Sequence, residues 1–233
     1  MFSNYKYVWD CRGLILRGLG VSLSIAGGAL LIGFVLGVIV ASIKIAPKNS
    51  IIMKILDKIC GIYITVIRGT PMLVQLLIMS GVILVDLKYM DTTIIVPIIA
   101  FGINSGAYMA EIIRSGISSV DVGQMEAGRS LGLNWLTTMK KVVIPQAIKV
   151  VVPTIFNEII TLVKETSVVS YIALMINGKQ AWDLLGIADK QGLRTGYYME
   201  FVLTAALLYL IVVMILSLIQ KFIERRLRTS DKR

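Results

Sequence analysis

Five apolar runs of membrane-crossing length dominate the sequence and leave little choice of fold. They occupy residues 18–43, 59–85, 92–113, 148–169 and 201–219. A helix needs about 20 predominantly apolar residues to cross the hydrocarbon core, since each residue advances it by about 1.5 Å. The core helix of a large soluble protein can imitate one such run. Five within 233 residues cannot be buried in any soluble core. The chain is therefore read as an all-α integral membrane protein with about five transmembrane helices in a single domain spanning 1–233.

Composition agrees. The hydrophobic share is 56%, above the 45–50% or so of soluble domains. Histidine is absent, which removes histidine acid–base chemistry, Ser-His-Asp triads and most zinc sites. No metal site and no catalytic residue is expected. Cys11 and Cys60 lie far apart in apolar surroundings and read as small hydrophobes. The first apolar run is too long for a cleavable signal and ends at Lys44 without a small-residue cleavage pattern.

A net charge of +10 would suggest nucleic acid in a soluble chain, but here its distribution along the membrane explains it. With the 114–149 segment inside, fifteen Lys and Arg fall on the cytoplasmic side and seven outside. The positive-inside rule then places the amino terminus out and the carboxyl terminus in, as an odd number of spans requires.

Polar residues inside the spans point to a path. On the fourth run Thr154, Asn157, Glu158, Thr161 and Glu165 share a stripe about 100° wide, which lipid would not tolerate. Glu158 sits roughly 17 Å from the start of that run, near the midplane. A bare carboxylate there costs on the order of 3 kcal/mol or more, so it needs a cation, a proton or water. On the third run Asn104, Tyr108, Glu111 and Ser115 share a face, and Glu111 with Arg114 fits an interfacial anchor. The second run carries Arg68-Gly69-Thr70-Pro71, where proline removes an amide donor and disfavours helix at Thr70. Thr70 is expected to cap a new half-helix beginning at Pro71. Such a start presents a positive dipole end suited to a carboxylate, with Arg68 and Gln75 as further donors. Glu158, Asn157, Thr161 and Asn104 with Arg68, Thr70 and Gln75 thus form a candidate cradle for a zwitterion. A structural ion pair between Arg68 and Glu158 is the plainer alternative.

The longest polar stretch, 121–146, separates two of the runs. Asp121 is placed to cap a short helix, with Gln124 at capping-box spacing. Gly132 permits a sharp turn, Asn134 can cap a second short helix, and Pro145 marks entry to the next span. Two short helices meeting at a glycine make a knob that a partner's cleft can hold, and Arg129, Lys140 and Lys141 make it basic.

Within that stretch Glu126, Ala127, Gly128, Gly132, Val142, Ile144 and Pro145 follow the pattern E-A-A-x(3)-G-x(9)-I-x-L-P, with Gly128 for the second alanine, Val142 for isoleucine and Ile144 for leucine. This resembles the cytoplasmic docking loop of ABC importer membrane subunits. RGTP at 68–71, NSGAYMAEIIRSGI at 104–117 and LVKETSVVSYI at 162–172 extend the resemblance to the permeases of polar amino-acid ABC importers, over about residues 18–226. The resemblance implies a type I importer permease fold and a pair of membrane subunits, as a homodimer or a heterodimer. It further implies two cytoplasmic ATPase subunits, an extracytoplasmic amino-acid-binding protein, and a prokaryotic cell membrane. Glu126, Ala127, Gly128, Arg129, Gly132 and Pro145 would dock the ATPase. The chain has no G-x(4)-G-K-[ST] loop, so ATP and Mg would be bound by the partner. Glu158 favours arginine, lysine or histidine as cargo. Two competing readings follow from the residues alone. One is an ion-gradient-driven transporter or channel relaying protons or sodium through Glu158, Glu165 and Glu111, which would want an inverted repeat not evident here. The other is an intramembrane enzyme, which would need a Ser-Lys or Asp-Asp pair.

Overall fold

The computed structural model describes residues 5–86, 93–172 and 174–229. Thr92, at the head of the third expected span, and Lys88, Lys232 and Arg233 of the charge count lie outside the described residues. A short α1 (Tyr5–Asp10) leads into α2 (Arg12–Ile45), followed by α3 (Ile51–Arg68) and α4 (Met72–Asp86). Next come α5 (Ile95–Ser118), α6 (Val122–Ser130) and α7 (Trp135–Thr138). One wide turn of π-helix (Met139–Val143) joins α7 to α8 (Ile144–Glu165), which tightens into a 3₁₀ segment (Thr166–Tyr171). A hairpin of β1 (Leu174–Ile176) and β2 (Lys179–Ala181), then α9 (Leu184–Thr195) and α10 (Tyr198–Thr229), complete the order.

Small residues set the central helix pair. A Cβ added to Gly28 would meet Ile98, one on Gly33 would meet Ser105, and one on Gly37 would overlap Met109. These partners rise together in sequence, so α2 and α5 run parallel at near backbone contact. Gly116 faces Val151 and Ser105 bonds Glu158, so α8 runs antiparallel to α5. Parallel α2 and α5 oblige the chain to return between them, and α3 with α4 makes that return. The two are bent by 104° at the break, so this broken pair is the fifth crossing beside four continuous helices long and apolar enough to span. Ile25, Ala29, Leu76, Ala100, Phe101, Leu162 and Val169 fill the centre of the bundle.

The spans run longer than the apolar runs. α3 begins at Ile51, bringing Lys54, Asp57 and Lys58 into its first turns, with Ser50 capping it by accepting from the Met53 amide at 3.2 Å. Lys44 and Lys48 close on one oxygen of Asp57 at 2.9 and 2.7 Å, stapling the α2–α3 turn. α10 continues well past residue 219 into the basic tail.

Opposite the knob, the end of the bundle carries structure not anticipated from hydropathy. Asn177-Gly178, both at positive φ (51° and 71°), turn the hairpin, the Asn-Gly solution for a two-residue loop. Thr93 pins the hairpin to the entry of α5 with two 2.8 Å bonds to Met175, one through each residue's amide. Buried Asp183 caps α9, accepting from the Leu185 and Gly186 amides at 3.1 Å each. Ser22 of α2 accepts from the Leu184 amide at 3.1 Å and shares a 3.3 Å bond with the Tyr209 hydroxyl of α10, so α9 is tied to α2 and, through Ser22, to α10.

Candidate functional site

The break between α3 and α4 is held by side chains. Gln75 donates its carboxamide nitrogen back to Ile67 O at 2.7 Å, to Thr70 O at 3.1 Å and to the Thr70 hydroxyl at 2.7 Å. Its oxygen accepts from Asn104 of α5 at 2.9 Å. This chain of bonds replaces the helical ladder that proline interrupts and satisfies carbonyls left over at the end of α3. Thr70 does not cap α4 as expected. Its hydroxyl donates to Val66 O at 2.9 Å, and Pro71 instead supplies the first helical carbonyl, accepting from Gln75 N at 3.2 Å. The reason is local: once Gln75 reaches back, the Thr70 hydroxyl already donates to α3 and accepts from Gln75.

Asn104 and Ser105 are neighbours on α5 and both are buried, yet they serve different partners. Asn104 faces the break, whereas Ser105 donates to Glu158 Oε1 at 3.0 Å. Glu158 and Arg68 do not meet in an ion pair. Ion pairs form at Asp57 and between Glu111 and Arg114, and the Arg68 guanidinium lies over the Tyr108 ring, 5.2 Å from its centroid. Glu111 and Arg114 pair with each other one turn apart, consistent with an anchor. The α8 stripe divides. Asn157 accepts from Gln220 of α10 at 3.0 Å, Thr154 bonds back to Val150 O at 2.9 Å, and Thr161, one turn beyond Glu158, stays exposed.

The knob takes the expected shape with one change. Asp121 caps α6 by accepting from the Gly123 amide at 2.6 Å, and Asn134 caps α7 by accepting from Thr137 N at 2.8 Å. Gly132, between the two helices, has φ of 82°, the left-handed region glycine enters without strain. Gln124 does not complete a capping box. It accepts instead from Gln146 at 3.2 Å, closing the two ends of the knob on each other. Gly128 is buried, and a Cβ there would overlap the methyl of Thr138, so α6 crosses α7 at close contact. Glu126, Ala127 and Arg129 are exposed on α6, and Pro145 is exposed in the first turn of α8.

Sequence reasoning missed the apolar part of this surface. Val122, Leu131 and Leu136 are 70%, 83% and 70% exposed, too much for residues of that size unless something covers them. Beside Arg129, Lys140 and Lys141 they make a basic knob with an apolar crown. Their signal in sequence was their place in the polar stretch between two spans.

Comparison with known proteins agrees with this architecture. Residues 33–229 match the family described as "Binding-protein-dependent transport system inner membrane component". The "Arginine transport system permease protein ArtQ" of Bacillus subtilis (strain 168) is 36% identical over 217 residues, 93% of this chain and 94% of that protein. The "Putative glutamine transport system permease protein GlnP" of Rickettsia bellii (strain RML369-C) is 36% identical over 218 residues, with the same two coverages, 93% and 94%. Among solved structures, "Crystal structure of an amino acid ABC transporter with histidines" aligns with a TM-score of 0.83 at 36% identity, covering 95% of this chain and 98% of that one. An inward-facing MetNI methionine ABC transporter shares the fold at a TM-score of 0.77 and 20% identity, over 94% of this chain and 98% of that one. With five crossings around a broken second span and a helical knob between α5 and α8, the chain belongs to the family of binding-protein-dependent transport system inner membrane components.

Proposed function

We propose that this chain is the path-forming permease subunit of an ATP-driven amino-acid importer, with a cationic amino acid (arginine, lysine or histidine) as preferred cargo. Relatives named for arginine, glutamine and cystine transport support the amino-acid class. The cationic preference is carried by one observation: Glu158, deep in α8, is held by Ser105 and makes no ion pair with Arg68. A carboxylate in that position is suited to the charged end of a cationic cargo. The positive end of α4, with Arg68 beside it, is suited to the cargo carboxylate. Asn104, Gln75 and Thr70 brace the break that creates this end, while Thr161 and Asn157 border Glu158 along α8.

In this reading the knob sits in the cytoplasm, which puts the amino terminus out and the carboxyl terminus in. Its apolar crown and basic flank dock an ATPase subunit that carries the ATP and Mg. Closure of two such subunits rocks a pair of permeases, as a homodimer or heterodimer, between outward- and inward-open forms around the central site. A separate extracytoplasmic protein delivers the amino acid. Family membership leaves the gradient-driven and enzyme readings without support.

Uptake of labelled arginine and glutamine by the assembled transporter, with and without Glu158→Gln, tests the assignment. Loss of a charge-assisted bond, about 1.5–3 kcal/mol, should weaken arginine uptake roughly tenfold to a hundredfold in apparent affinity. Glutamine uptake and protein level should hold. Equal arginine uptake in the variant would return Glu158 to a structural role.

A further inference from the structure

At the end of the bundle opposite the knob, α2, the hairpin and α9 enclose a cavity of about 460 Å³. Its walls are apolar, from Leu14, Val21, Ile176 and Ile187, while Arg17, Lys179 and Lys190 bring three cations to it. Arg17 and Lys179 form no ion pair among the described residues. Lys190 lies 4.7 Å from the centroid of Trp182, itself a lining residue. Asp183 and Asp189 do not line the cavity. Three cations without a carboxylate in the lining repel one another against an apolar wall, and a bound anion with an apolar extension relieves both mismatches.

The depth of the cavity identifies the ligand class. Tyr7, Trp9 and Tyr198 are exposed at this same end (45%, 67% and 44%), and exposed aromatics of this kind collect at the membrane–water interface. The cavity therefore lies level with lipid head groups. Leu14 of its wall and Leu16 and Leu23 on α2 are also exposed, continuing the apolar surface toward the hydrocarbon. We propose that this cavity binds the phosphate head group of an anionic phospholipid in the leaflet opposite the knob, with Arg17, Lys179 and Lys190 on the phosphate and the acyl chains along α2. Lipid bound there bridges α2, the hairpin and α9, the elements that cap this end.

The full-length chain, purified in neutral detergent, would be titrated with phosphatidylglycerol or phosphatidylcholine and bound lipid counted by native mass spectrometry. Phosphatidylglycerol should be retained preferentially. Each cation is expected to contribute about fivefold, so Arg17→Gln/Lys179→Gln/Lys190→Gln should lower that affinity by about a hundredfold. A control of equal charge loss at the same end, Lys6→Gln/Arg12→Gln/Arg194→Gln, should keep the preference, with circular dichroism confirming both variants folded. Inorganic phosphate should not displace the lipid, because the acyl chains contribute. Displacement by phosphate alone would replace the lipid with a free anion. Equal binding of the two lipids, or equal loss in the two triple variants, would overturn the site and leave the three cations to an acidic protein surface.

Discussion

Asp183 carries a pH-dependent stability that can be worked out from its surroundings. The residue is fully buried where the chain leaves the hairpin, and each carboxylate oxygen accepts one amide of α9. Burial pushes its pKa up from 3.8 to about 6, and the Gly186 and Leu185 amides offset only part of the shift. The folded value lies above the unfolded one, so between about pH 4 and pH 6 the folded chain holds a proton that the unfolded chain has lost. Stability is therefore full below that window, falls as pH rises through it, and stays lower above it. A displacement of about two pH units corresponds to about 3 kcal/mol. Asp183→Asn removes the charge and keeps an oxygen for the Gly186 amide, but gives up the Leu185 bond, worth about 1 kcal/mol. The variant should thus be about 1 kcal/mol less stable than wild type near pH 4 and about 2 kcal/mol more stable near pH 7. Unfolding free energies from denaturant titration in a mild detergent, followed by circular dichroism across that range, measure the difference. Parallel pH profiles for the two proteins would refute the burial argument.

Two further substitutions probe the helix contacts. Gly37→Leu drives a side chain into the Met109 and Ala110 backbone, with a Cβ only 3.1 Å from Ala110 N. Since backbone cannot move aside, α2 must back away from α5, and thermal unfolding should register a loss of about 3 kcal/mol or more. Gly128→Leu overfills the α6–α7 crossing against fully buried Thr138, a local cost of about 1–3 kcal/mol. The rest of the bundle should melt normally, while ATP hydrolysis by the assembled transporter loses its coupling to uptake. Normal coupling would show that the knob's shape is immaterial.

Several features were legible because they depend on neighbours in sequence. The caps at Asp121 and Asn134 and the turn at Gly132 follow from side chains reaching backbone two or three residues away. The Asn-Gly turn and the Asp183 cap were also written locally, but a hydropathy reading passes over short polar elements between spans. Spacing predicts a local partner for Gln124, but Gln146, 22 residues away, takes its place.

By itself the sequence determined that the chain crosses the membrane about five times, where the second crossing breaks, and which loop forms the knob. Apolar run length, a missing proline amide and a residue-by-residue pattern are properties of contiguous chain. Only the tertiary structure decided that Glu158 meets Ser105 instead of Arg68 and that Gln75 and Asn104 brace the break. The same holds for the cavity that α2 and α9 close around three cations. Those pairings join residues from 29 to more than 150 positions apart, such as Asn104 with Gln75 and Leu184 with Ser22. Their geometry is set by which helix faces pack together, and periodicity along a single helix does not encode its neighbour.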